Sequence, residues 1–203
     1  MLRRIRIIFA TLFFLSVTAL FIDSTGMAKE WLGWTAKIQF LPALLALNVV
    51  TVLALVVLTL LVGRAYCSVI CPLGVMQDVI SRISGLRKKK KSRFSYSGEK
   101  KWLRYGILVI FVVALVAGLT PLAALLAPYS SYGRMVSSVV SPSLSPVAIV
   151  AAVSFVVVAI MSWLGGRTYC NTICPVGTVL GFFSRFALLR PVINTSKCNS
   201  CKR

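Results

Sequence analysis

Gly63-Arg64-Ala65-Tyr66-Cys67-Ser68-Val69-Ile70-Cys71-Pro72-Leu73-Gly74 recurs 103 residues later as Gly166-Arg167-Thr168-Tyr169-Cys170-Asn171-Thr172-Ile173-Cys174-Pro175-Val176-Gly177. Eight of the twelve positions are identical, and the register continues without a gap through Ser81-Arg82 against Ser184-Arg185 and Leu86-Arg87 against Leu189-Arg190. Each copy closes a long apolar run. The chain therefore reads as two copies of one unit: helix, loop, helix, cysteine turn and short amphipathic helix.

Working outward, the apolar runs set the class. Of 203 residues 58% are hydrophobic and 13% charged, whereas an ordinary globular domain is about a quarter charged. Four stretches approach the roughly 20 residues needed to cross a bilayer core: Ile5–Ile22, Ile38–Val62, Trp102–Leu126 and Pro146–Leu164. The first is read as an uncleaved anchor, since no small-x-small cleavage site follows it. The expected fold is an all-α membrane protein, with four transmembrane helices arranged as two parallel helix-pair repeats. Each pair is followed by its cysteine turn and a short interfacial helix. The domain reading is 1–190 for the membrane unit (repeats 1–87 and 102–190) and 191–203 for the start of something else.

Charge orients it. The formal charge of +19 sets 23 Lys and Arg against Asp23, Glu30, Asp78 and Glu99. Three basic residues flank the first run, eleven fall from Arg64 to Arg104 and six follow the fourth run; only Lys29, Lys37 and Arg134 lie elsewhere. Basic residues concentrate on the cytoplasmic side of membrane proteins, so both termini and the cysteine motifs are expected at the cytoplasmic face of a bacterial inner membrane. Trp31, Trp34, Tyr129 and Tyr132 would then form an outer aromatic belt, and Tyr66, Trp102 and Tyr169 an inner one. The Lys88–Lys91 run reads as a topology anchor that binds anionic lipid. Nucleic acid is not an expected partner, because a domain this apolar is not a nucleic-acid binder.

There are no histidines, which removes bis-histidine haem, Cys/His zinc and histidine acid–base chemistry. The six cysteines form three pairs: Cys67/Cys71, Cys170/Cys174 and Cys198/Cys201. In the first two, proline follows the second cysteine and ends helical geometry there. Helical cysteines four apart hold their β-carbons about 5–6 Å from one another, against about 3.8 Å in a disulfide. A reducing cytoplasm also disfavours a disulfide. The C-x3-C-P piece is the closing half of the bacterial ferredoxin run, and two copies supply the four thiolates of an iron–sulfur cluster, 4Fe-4S foremost. Arg64 and Arg167 stand beside these cysteines, either to stabilise a net-negative cluster or as plain topology anchors. Asn194–Arg203 carries C-x2-C and reads as the opening of a ferredoxin-type 4Fe-4S domain that the chain cuts short.

The duplicated C-x3-C-P on a four-helix unit, followed by that opening, resembles the membrane polyferredoxins: the quinol-dehydrogenase membrane subunit of periplasmic nitrate reductase and the membrane domain of the nitrous-oxide reductase regulator. The resemblance implies electron transfer between the quinone pool, or another membrane donor, and ferredoxin-like, periplasmic or cytoplasmic redox proteins. It implies motif ligands at Cys67, Cys71, Cys170 and Cys174, and ferredoxin ligands at Cys198 and Cys201. Any enzymatic role would be that of a quinol dehydrogenase component. A metallocentre assembly or regulatory protein and a structural four-thiolate zinc site remain alternatives. Asp78, whose repeat counterpart is Gly181, reads as a complement to a helix dipole or as a proton acceptor. The segments Val75–Arg87 and Thr178–Arg190 are expected to be interfacial helices, capping the bundle or binding quinone.

Overall fold

The computed structural model describes residues 2–23, 26–46, 48–87, 101–140 and 145–189. All regular structure among them is helical: α1 (Leu2–Ile22), α2 (Met27–Lys37), α3 (Phe40–Leu45), α4 (Val49–Val62), α5 (Ala65–Val69), α6 (Pro72–Arg87), α7 (Lys101–Val116), α8 (Thr120–Leu126), α9 (Pro128–Val140), α10 (Pro146–Gly165), α11 (Thr168–Thr172) and α12 (Pro175–Phe183), closed by a 3-10 turn at Ser184–Phe186. The Lys88–Lys91 run and residues 191–203, with Cys198 and Cys201, lie outside the described residues.

Shifting by 103 residues maps α2 onto α9, α5 onto α11 and α6 onto α12. The long apolar segments map less evenly. Continuous α1 corresponds to the broken pair α7 and α8, while the broken pair α3 and α4 corresponds to continuous α10. Among the described residues two helices, 4–22 and 146–165, are therefore long and apolar enough to cross a membrane, and α4 is a shorter apolar helix. Both long helices expose rows of large apolar side chains, including Ile8, Leu12 and Leu15 on α1 and Val153, Ile160 and Leu164 on α10.

The expected spans 38–62 and 102–126 are corrected in form. In the first, the Asn48 side chain accepts the amide of Thr51 and starts a new helix at Val49. The segment then doubles back, because Gln39 and Phe40 at its start bond Tyr66 and Ile70 just past its end. In the second, Gly118 at φ 71° ends α7, and Pro121 lies in the first turn of α8. A uniformly apolar run conceals such breaks, since every residue in it is compatible with both halves. Residues read as outer loops also form helices, α2 and α9.

The helices that lead into the motifs end alike. Gly63 and Gly166, the first motif residues, take φ 74° and 73°. A side chain would be strained there, so the motif glycine is what turns the chain from α4 or α10 into the cysteine segment. The freed carbonyls at those helix ends are met from the opposite repeat. Amides of Leu188 and Leu189 bond the carbonyls of Leu60 and Leu61, and the Ser84 hydroxyl bonds that of Trp163, the counterpart of Leu60. The main core gathers around the cysteine turns: Tyr66, Leu73, Tyr132, Met135, Val158, Tyr169, Val176 and Leu180 pack with Cys67, Cys71 and Cys174. Tyr66, Tyr132 and Tyr169 are thus core residues, not members of the expected belts, whereas Trp31, Trp34 and Trp102 are exposed. A buried hydroxyl needs a partner. Tyr66 donates to Gln39 Oε1 and accepts the Phe40 amide, at 2.9 and 3.0 Å, and the Tyr132 hydroxyl pairs with Thr18.

Candidate cofactor site

Each motif folds as its proline dictates. The first cysteine lies in a short helix (Cys67 in α5, Cys170 in α11), and the second lies in the break before the next (Cys71 before α6, Cys174 before α12). Proline then occupies the first helical position, where its missing amide costs nothing. The second cysteine becomes the cap of that helix. The Gly177 amide donates to Cys174 Sγ at 3.4 Å, and Cys71 is held likewise by the amides of Gly74 and Leu73. A helix N-terminus favours negative charge on the sulfur it caps.

The glycine three residues after each second cysteine is forced by packing. A Cβ on Gly74 would sit 2.1 Å from the carbonyl oxygen of Cys67, and one on Gly177 would sit 2.2 Å from that of Cys170. The first turn of each second helix thereby rests directly on the backbone of the first cysteine.

All four thiols are buried and unpaired by disulfides. Every pair of the four lies close enough for their charges to interact. Burial pushes the Cys170 thiol up to about 12; Cys67 adds to the shift, and hydrogen bonding from Gln77 opposes it. Burial also raises Cys71 and Cys174 well above the ordinary thiol range. For Cys67 burial again raises the value, but the guanidiniums of Arg64 and Arg167 pull it back. Among the described residues no three of these side chains are gathered as a single-ion site. One zinc would draw its four sulfurs to within about 3.8 Å of each other. A multi-iron cluster holds its thiolates further apart, and four buried thiols from two turns supply the number of ligands it needs.

Polar residues of the two repeats interlock around the thiols. Arg167 grips both carboxylate oxygens of Asp78 through Nε and Nη2, with Arg6 at 3.8 Å from the same carboxylate. Asp78 is consequently a salt-bridge residue. The helix-dipole reading is corrected, because α6 starts at Pro72 and places Asp78 beyond its first turn. By the repeat, Arg64 should meet residue 181. It does, but Gly181 offers no carboxylate, and Arg64 bonds the Asn171 side chain instead. Arg104 approaches Gly181 as well and bonds Thr178 and the carbonyl of Gly177. Gln77 on α6 reaches across the repeat to place Nε2 3.2 Å from Cys170 Sγ.

The structure thus brings together Cys67, Cys71, Cys170, Cys174, Arg64, Arg167 and Asp78. Gln77, Arg104 and Asn171 were not legible as site residues from sequence, although the mismatch of Gln77 with Leu180 in the repeat register was a visible signal.

Residues 44–93 and 147–194 each match the family model described as 4Fe-4S binding domain. An uncharacterised protein of Methanocaldococcus jannaschii is 23% identical over 98% of this chain and 70% of its own length. The methylamine utilization ferredoxin-type protein MauN of Paracoccus denitrificans is 26% identical over 68% of this chain and 46% of its own length. A second uncharacterised M. jannaschii protein is 26% identical, with 73% of this chain and 60% of its own length covered. No solved structure matches. These matches support an iron–sulfur cofactor and a ferredoxin-type electron-transfer role, and both matched segments contain a cysteine turn.

Proposed function

We propose that the chain is a membrane-embedded iron–sulfur electron-transfer protein whose Cys67, Cys71, Cys170 and Cys174 together ligate one 4Fe-4S cluster between the two repeats. The observation that carries this reading is the meeting of four buried thiols from two sequence-related turns, each second cysteine capped by helix amides. When bound, the cluster would supply a one-electron couple. The chain's own residues do the rest. Arg64 and Arg167 offset negative charge near Cys67, and the surrounding core excludes water.

We place α1 and α10 across a bacterial inner membrane, with the cysteine turns on the cytoplasmic side. The 20-to-3 split of basic residues supports this, and so do the exposed apolar faces of both helices. In this reading α3, α4, α7 and α8 complete the four-segment bundle within the same layer. Quinol is the proposed donor. A cavity of about 690 Å3, almost wholly apolar, lies against α1, α9 and α10, with Met76 of α6 in its wall beside Gln77. Its size falls in the range of small-molecule sites, and the Thr18–Tyr132 hydroxyl pair supplies polar groups at its lining. Residues 191–203 are proposed to open a ferredoxin-type unit, with Cys198 and Cys201 as its first ligands, that takes the electron onward.

Anaerobic purification in detergent, iron and sulfide analysis, and electron paramagnetic resonance of the reduced protein test the proposal. A cubane signal in wild type that is lost when Cys67, Cys71, Cys170 and Cys174 are changed to serine is the expected result. Zinc in place of iron, or a cluster signal that survives the four substitutions, would refute it.

A further inference from the structure

Gln77 is wholly buried on α6, with its Nε2 3.2 Å from Cys170 Sγ. Its other half, Oε1, is buried with no hydrogen-bond partner among the described residues. Leaving a buried acceptor unmatched costs free energy, and the chain itself shows a residue that avoids the cost. Leu180, the counterpart of Gln77 in the 103-residue register, is just as buried in the same core. Packing alone therefore does not call for an amide at position 77. What the amide adds is a donor to sulfur. Cys67, the counterpart of Cys170, receives no side-chain donor among the described residues; its neighbours are the Arg64 and Arg167 charges.

We propose that Gln77 is a positioning residue for the redox couple: its N–H bond to Cys170 raises the reduction potential of the cluster and makes its two halves electronically unequal. The inference rests on the four-cysteine ligation proposed above. The step in question is the gain of one electron by an oxidised 4Fe-4S cluster, with dithionite as the reductant in the test and no bond to the thiolates broken. The added electron raises negative charge on the ligand sulfurs. A fixed N–H dipole aimed at one of them stabilises the reduced form more than the oxidised one. Hydrogen bonds to cluster sulfurs are a recognised lever on potential.

The test uses the full chain, purified anaerobically in detergent, with redox titration followed by electron paramagnetic resonance. Gln77→Leu copies the second repeat into the first and should retain iron and sulfide. Its ratio of reduced to oxidised cluster at a fixed potential should fall about tenfold, equivalent to about 59 mV for one electron. Leu180→Gln adds an amide toward Cys67 and should shift the titration the opposite way. In wild type transferred to deuterium oxide, pulsed resonance should show an exchangeable deuteron coupled to the cluster that is lost in Gln77→Leu. A fully loaded Gln77→Leu protein titrating at the wild-type potential overturns the inference and leaves the four-cysteine ligation standing. If Gln77→Leu fails to load, an unshifted or lowered potential in Leu180→Gln overturns it. Wild type without iron and sulfide takes down both.

Discussion

Replacing Gly177 by alanine puts a methyl carbon 2.2 Å from the carbonyl oxygen of Cys170 and 3.2 Å from its carbonyl carbon. Real contacts of this kind are essentially never under 3.0 Å, so the two backbones must separate by at least 0.8 Å. Neither is a flexible side-chain end: one is the first turn of α12 and the other is the helix that carries Cys170. Overpacking of this sort costs about 1–3 kcal/mol, against a gain of about 0.5–1 kcal/mol for alanine over glycine in a helix. The larger effect falls on the ligands. Gly177 donates its amide to Cys174 Sγ, so moving it off Cys170 displaces the second cysteine from the first. Iron and sulfide per chain after anaerobic purification should drop at least severalfold in Gly177→Ala, and in Gly74→Ala for the same reason. Gly106→Ala on α7 is the control, since nothing lies within 4 Å of its Cβ position. A Gly177→Ala protein that matches Gly106→Ala in cluster content and melting temperature would show that close approach of the two turns does not govern ligand placement.

Further outcomes follow from single contacts. Tyr66→Phe leaves the Phe40 amide and Gln39 Oε1 without the hydroxyl they share, and should cost about 1–3 kcal/mol, read as a lower melting temperature in detergent. Asp78→Asn strips the carboxylate charge from Arg167 and Arg6; because the pair is only partly buried, a loss of about 1–3 kcal/mol is expected, again by thermal melting. Ala152→Trp fills the apolar cavity from an exposed position on its wall. It should abolish reduction by a short-chain quinol in a stopped-flow assay while dithionite still reduces the protein, and unchanged quinol reduction would remove the cavity from the electron path.

Much of this was legible in sequence because a repeat carries its own internal comparison. The 103-residue shift identified both cysteine turns, the glycine that begins each motif and the proline that ends each short helix. It also exposed Asp78 against Gly181 as a broken pair. Helix breaks at Asn48 and Gly118 were concealed, since hydropathy reports the solvent a residue prefers and not the path of the backbone. Burial of the tyrosines was concealed for a related reason. Tyr66 and Tyr132 are amphipathic, and the same ring that suits a membrane interface suits a core that offers Gln39 or Thr18 as a partner. The role of Arg167 was half visible: the motif marked its place beside the cysteines, but its carboxylate partner lies 89 residues away.

The reciprocal contacts between repeats bear on ancestry. Leu188 closes the end of α4 and Ser84 closes the end of α10; Gln77 reaches Cys170, and Arg167 reaches Asp78. A single unit standing alone would leave its helix-end carbonyls without these partners, and it would own two of the four thiols that the proposed cluster takes. The simplest forerunner is therefore a twofold homodimer of one unit, with its shared prosthetic group on the seam between subunits. Joined in one chain, the two halves are free to differ at positions where identical subunits would have to agree. Gln77 opposite Leu180, and Asp78 opposite Gly181, are the kind of differences that identical subunits could never have acquired.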